Sequence, residues 1–168
     1  SRLWWKWKPD EKTYPNFKEF CAEMNAQGVK VLGYINSFLA DEGEMFEEAK
    51  NKGYLVKNQK GEDYKLAAGG FDAYLVDLTN PAAFDWMKNI IKQNLIGNGL
   101  SGWMADFAEW LPPDAKLHND ADPLTYHNQY PVDWARLNRE AIKEAGKEGE
   151  IVFFSRSGFS HSNAYSTL

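Results

Sequence analysis

Apolar positions along the chain change their period several times, and each change marks an element. Phe17, Phe20, Cys21 and Met24 recur at helical spacing behind Tyr14-Pro15 and stop at Gly28, which predicts a first helix. Val29-Lys30-Val31-Leu32-Gly33-Tyr34-Ile35-Asn36 is a short apolar run rich in β-formers and predicts a strand. Glu42 to Lys52 runs from acidic to basic and ends at Gly53, the charge order of a surface helix aligned with its own dipole. Residues 53–73 are polar and Gly-rich and predict a loop or a small hairpin. Asn80-Pro81 then opens a helix whose stripe is Phe84, Met87, Ile91 and Leu95, closed by Gly97-Asn98-Gly99. A second buried-type strand covers Leu100 to Asp106. After a Pro-containing loop, a helix over about 131–146 leads to a third strand, Ile151-Val152-Phe153-Phe154-Ser155.

Strand, helix, strand, helix, strand predicts an α/β fold of parallel βαβ units with right-handed crossovers. A doubly wound sheet and a section of barrel both fit. No G-x-G-x-x-G follows any strand, so nucleotide-binding Rossmann chemistry has no support. The 168 residues form one domain's worth of chain, with an insert-like loop at about 53–73. They are too few for a complete (β/α)8 barrel, which takes about 250 residues and no fewer than about 200.

Composition narrows the partners. A formal net charge of −5 argues against nucleic acid held by a general basic field. No run of 18 apolar residues exists, so no membrane span is expected. The single cysteine, Cys21, lies on a helix stripe and reads as a small core residue; it excludes a disulfide framework and a multi-thiolate zinc site. His118, His127 and His161 lack metal-ligand spacing, and neither a metal nor another cofactor is expected. The opening Ser1-Arg2-Leu3-Trp4-Trp5 has no initiator Met and no signal-peptide pattern, as expected of a processed or truncated chain.

Candidate chemistry collects where strands end. Asn36, Asp106 and Arg156 each stand at the carboxyl end of a predicted strand, where parallel α/β architectures place their sites. The richest stretch is Gly102 to Pro112: Asp106 emerges from a buried strand, and Glu109 follows three residues later. A carboxylate so placed can act as nucleophile, base or partner of a developing cation. Trp103, Phe107 and Trp110 offer flat apolar surfaces of the kind sugar rings stack on. Asp106-x-x-Glu109 is also a capping box, but Leu111-Pro112-Pro113 leaves no room for the helix it would cap. Asp77, ahead of Thr79-Asn80-Pro81, reads as loop and cap structure. Alternation places Trp4 and Trp5 on opposite faces, one free to pack and the other to line a pocket.

These residues together resemble glycoside hydrolase family 31, retaining α-glycosidases built on a (β/α)8 barrel. The strand Trp103-Met104-Ala105-Asp106 with Glu109 is similar to that family's nucleophile motif. Val31 to Asn36, Val76 to Pro81 and Phe154 to Phe159 are family-like as well. Within the family the chain is most similar to the sulfoquinovosidases, through Arg2-Leu3-Trp4-Trp5, Gly102 to Pro112 and Leu117-His118-Asn119. The resemblance implies a partial TIM barrel, roughly half of one, with parallel strands and outer helices. It implies Asp106 as the nucleophile, Glu109 as a supporting carboxylate, and Arg156 and Trp103 in the sugar subsite. Arg2 and Trp5 would contact a sulfonate, a role that suits a permanently charged, fork-shaped guanidinium. Two positions depart from the pattern: Ala108 stands where Gly is usual, narrowing the pocket by a methyl, and Ser37 stands where Pro is common.

A carbohydrate substrate, an α-glycoside carrying a sulfonate, is the implied partner. A neutral α-glucoside or α-xyloside, or a non-catalytic sugar-binding protein, are the rival expectations. The family's acid/base Asp follows a later strand in a Trp-x-Gly-Asp-like segment, expected beyond Leu168. The isolated chain is therefore expected to be inactive, and the open edges of a partial barrel to favour self-association.

Overall fold

The computed structural model describes residues 6–68 and 71–167. In chain order the elements are α1 (Phe17–Ala26), β1 (Leu32–Asn36), β2 (Phe38–Ala40), α2 (Glu44–Asn51), β3 (Leu66–Ala68), β4 (Phe71–Leu75), α3 (Pro81–Ile90), β5 (Gly102–Asp106), α4 (Pro123–Glu144) and β6 (Val152–Ser155). Among the described residues β1, β5 and β6 form one parallel sheet in the order β1-β5-β6. Thr167 bridges Phe154 in the parallel sense, where a fourth such strand would begin. The parallel βαβ units that the alternation of periods predicts form a partial (β/α) barrel, the one of the two open arrangements that the resemblance implies.

Register sorts the side chains. Leu32 pairs with Gly102 and Gly102 with Val152, while Tyr34 pairs with Met104 and Met104 with Phe154. Side chains in register on parallel neighbours share a face. These rows line the inner side of the curved sheet, where Leu32 (51%), Val152 (54%), Tyr34 (42%) and Phe154 (39%) remain exposed. The alternate residues, Ile35, Trp103, Ala105 and Phe153, are buried on the outer side. There Trp103 stacks on Phe153, with centroids 6.3 Å apart, and donates from Nε1 to Asn138 Oδ1 of α4 at 2.8 Å. Trp134, Leu137, Ala141 and Ile142 of α4 complete that core. Each such large buried side chain contributes about 1.5–3 kcal/mol of transfer free energy.

The helices begin as their sequence signals require, with one exception. The Asn80 side chain accepts from Ala82 N at 3.0 Å and Pro81 occupies the first turn of α3. α3 then widens into a π turn at Ile91–Leu95 and tightens to a 3-10 turn ending at Gly99, which has φ +80°. α4 starts at Pro123, not near 131. Asp122 caps it by accepting from Leu124 N and Thr125 N, and Pro131 lies inside the helix. The two early turns hold because His127 Nδ1 donates to Leu111 O at 2.6 Å, fastening them to the preceding loop.

The polar stretch around 53–73 contains the β3–β4 hairpin, and it recruits β2 into a second, antiparallel sheet of order β2-β4-β3. β2 has only three residues, too few to show a period. This insert is tied to the loop after β5. Lys57 and Lys116 exchange backbone hydrogen bonds at 3.2 and 2.7 Å, and Tyr64 donates to Asp114 Oδ1 at 2.9 Å. Asp77 is the junction: Oδ1 accepts from Thr79 N and Oγ1, and Oδ2 accepts from His118 N at 2.8 Å. Asp77 is thus cap and loop structure, as its position suggests.

Gly102 sits where β1, β5 and β6 crowd together. A Cβ there would lie 2.7 Å from Leu32 Cδ2 and still closer to the Val152 carbonyl oxygen, a backbone atom that cannot swing aside. Gly102→Ala is therefore expected to destabilise the chain by about 1–3 kcal/mol, read as a lower urea midpoint at unchanged m-value.

Candidate active site

Asn36 and Asp106 pair in register at the carboxyl ends of β1 and β5, and Arg156 follows the last residue of β6. Inner-face alternation continues through this third row, so all three residues converge at the mouth of the partial barrel. Asp106 is buried at 6% exposure. Its Oδ2 accepts a 2.6 Å hydrogen bond from the Tyr34 hydroxyl, and Asn36 Nδ2 donates to that hydroxyl at 3.3 Å. Asn36 Oδ1 accepts from Phe38 N at 2.9 Å, which fixes the turn from β1 into β2.

No helix follows Asp106, so the capping-box geometry is not realised. Instead Phe107 (φ +60°) and Ala108 (φ +81°) both take left-handed backbone, and Ser157 Oγ donates to the Phe107 carbonyl. That turn swings Glu109 back over the strand end, where Oε1 accepts from both Arg156 Nε (3.0 Å) and Nη2. The guanidinium lies 4.0 Å over the Phe107 ring, and Arg156 Nε is 3.2 Å from Asp106 Oδ1. Phe107 in turn meets Phe38 edge-on, with centroids 5.1 Å apart. A left-handed conformation costs an L-residue roughly 1–2 kcal/mol, which is why Gly suits position 108 and why the Ala there is notable.

Two carboxylates share one guanidinium here. Burial works against the Arg156 cation, but the hydrogen bonds and charge of Glu109, with the charge of Asp106, raise it above its ordinary value. Burial pushes the Tyr34 phenol up; the Asn36 hydrogen bond opposes this, and Asp106 adds to the rise, giving about 12. Among the described residues no group of three His, Cys, Asp or Glu side chains could hold a metal, and no helix is long and apolar enough to cross a membrane.

Asp106, Glu109 and Arg156 thus come together at one point. Trp103 does not join them. It is fully buried on the outer side of β5, since a residue three before Asp106 on a strand must face the opposite layer. Phe107 and the half-exposed Trp110 are the aromatics at the mouth. Arg2 and Trp5 lie outside the described residues. Sequence reasoning missed Tyr34, although its place two residues before Asn36 puts it on the same face.

The family model described as the glycosyl hydrolases family 31 TIM-barrel domain matches residues 2–168. The chain belongs to glycoside hydrolase family 31. Family 31 relatives include the sulfoquinovosidase of Escherichia coli (strain K12), 45% identical over 168 residues, all of this chain and 25% of that protein. The sulfoquinovosidase of Agrobacterium fabrum is 41% identical over 169 residues, covering all of this chain and 26% of that protein. Among solved structures, a family 31 sulfoquinovosidase from E. rectale, in complex with the aza-sugar inhibitor IFGSQ, is 46% identical with a TM-score of 0.94. That match covers 99% of this chain and 25% of the other. The chain spans about a quarter of the length of these relatives.

The raised phenol makes a pH test possible. Tyr34 titrates near 10 when unfolded and near 12 when folded, so its linked stability is complete below pH 10 and lost as pH rises to 12. Urea midpoints of the wild type are expected to fall more steeply than those of Tyr34→Phe across that window; parallel slopes would contradict the assignment.

Proposed function

We propose that this chain carries the nucleophile of a retaining α-glycosidase acting on α-sulfoquinovosides, and that the nucleophile is Asp106. The supporting observation is the asymmetry of its carboxylate: Oδ2 is held by Tyr34, whereas Oδ1 accepts no hydrogen bond. A carboxylate at a barrel strand end, flanked by a guanidinium and a phenol, is suited to attack an anomeric carbon and later depart from it. In the first step Oδ1 bonds to that carbon as the bond to the aglycone oxygen breaks. In the second step water takes the sugar from the ester.

The second carboxyl of this mechanism is not Glu109. Both carboxylates share Arg156, so Glu109 lies beside the nucleophile and not across a substrate from it. In this reading the acid/base group comes from a segment beyond Leu168, and Glu109 and Phe107 hold Arg156 ready for the sugar hydroxyls. Arg2 and Trp5 are assigned to the sulfonate. The identity of 45% and 41% to proteins named sulfoquinovosidase supports that substrate over a neutral sugar.

Asp106→Asn in the full-length protein is expected to lower hydrolysis of an aryl α-sulfoquinovoside by about 10³-fold or more, while the 168-residue chain alone shows no turnover. Preference for a neutral aryl α-glucoside or α-xyloside would overturn the substrate, and binding without turnover would overturn the hydrolase. The exposed inner row of Leu32, Tyr34, Val152 and Phe154 gives a separate expectation for the isolated chain. Light scattering should find it associated, and a monodisperse monomer would contradict this.

A further inference from the structure

We infer that Tyr34 is a positioning residue for Asp106: its hydrogen bond fixes Oδ2 and favours release of the sugar in the second half of the reaction. This rests on the reading of Asp106 as nucleophile. The 2.6 Å contact lies in the range of a charge-assisted O–H···O bond. Tyr34 is held in place from two directions. β1 pairs with β5 residue by residue from Leu32 to Asn36, and Asn36 Nδ2 donates to the hydroxyl from above. The Tyr34 ring lies 6.3 Å from that of Trp7.

The other oxygen is differently placed. Asp106 Oδ1 is buried and accepts no hydrogen bond. Arg156 Nε stands 3.2 Å away, but its N–H is directed to Glu109 Oε1 at 3.0 Å. The groups facing the carboxylate are therefore Tyr34 and Asn36 from β1, Glu109 from the following loop and Arg156 after β6. Of these, Tyr34 donates a hydrogen bond to it. The phenol, pushed up to about 12, keeps its proton at any pH at which such an enzyme works.

The consequence follows from where charge sits in each step. When Oδ1 bonds to the anomeric carbon, the aglycone oxygen leaves with the C–O electron pair and takes a proton from the acid. Oδ2 then becomes the carbonyl oxygen of an ester and a weaker acceptor. When water attacks the same carbon, the Oδ1–carbon bond breaks, its electron pair returns to the carboxylate, and water's proton goes to the base. The Tyr34 bond strengthens during that second step, so it lowers the second barrier while slightly raising the first.

The test is Tyr34→Phe in the full-length protein, with an aryl α-sulfoquinovoside bearing a good leaving group. The ring is retained and a single hydroxyl is removed. kcat is expected to fall about tenfold, KM to fall with it, and kcat/KM to hold or rise. Rapid-quench assays should show a larger burst of aglycone than the wild type, because the glycosyl-enzyme accumulates when its release slows. Fluorotyrosine at position 34, which restores a hydroxyl donor, should return kcat toward the wild-type value. Equal loss of kcat and kcat/KM with no larger burst would reduce Tyr34 to packing and overturn the inference. If the wild type hydrolyses no α-glycoside, the functional reading fails, and the crystal structure of Tyr34→Phe still decides this one. An Asp106 carboxylate rotated from its wild-type position supports it, and an unmoved carboxylate overturns it.

Discussion

A side chain on a strand faces one layer or the other, and that constraint organises everything around β5. Trp103 and Ala105 turn outward into the helix layer; Gly102, Met104 and Asp106 turn inward. The outward residues anchor the strand, through the indole–Asn138 bond and the stack on Phe153. The inward row ends in the carboxylate. Without the outer anchor the register with β1 and β6 would be weakly specified, and Asp106 would meet neither Tyr34 nor Arg156.

The electrostatics follow the same economy. A chain of net charge −5 brings Asp106 and Glu109 to one guanidinium, and an aromatic face carries that guanidinium from the other side. Two consecutive left-handed residues make this possible, since an extended continuation of β5 would carry Glu109 away from the strand end. The strain of Phe107 and Ala108 is the conformational cost of gathering those charges, and strain of this kind concentrates at functional sites.

Much of this was legible in the sequence because it depends on period and punctuation. The three parallel strands, the Asn80-Pro81 helix start and the converging Asn36, Asp106 and Arg156 are all visible in the order of residues. The rest depends on context. β2 is three residues long, and pairing with β4 creates it, not propensity. The start of α4 was obscured by competition between two prolines: Pro131 looks like a first-turn residue until the Asp122 cap and the His127–Leu111 bond are seen. Trp103 was misplaced by grouping aromatics along the chain and not by face. Tyr34 was overlooked because a tyrosine in a strand resembles core until its register with Met104 is known.

The insert between β1 and α3 and the loop that follows the nucleophile are joined by Lys57–Lys116, Tyr64–Asp114 and Asp77–His118. Neither can therefore change length or sequence without the other answering for it. Variation in this part of the fold must travel as paired segments, far apart in the chain. A graft between relatives that exchanged only one of them would leave Asp77 buried with an unclaimed acceptor, and would carry that mismatch to the edge of the barrel mouth.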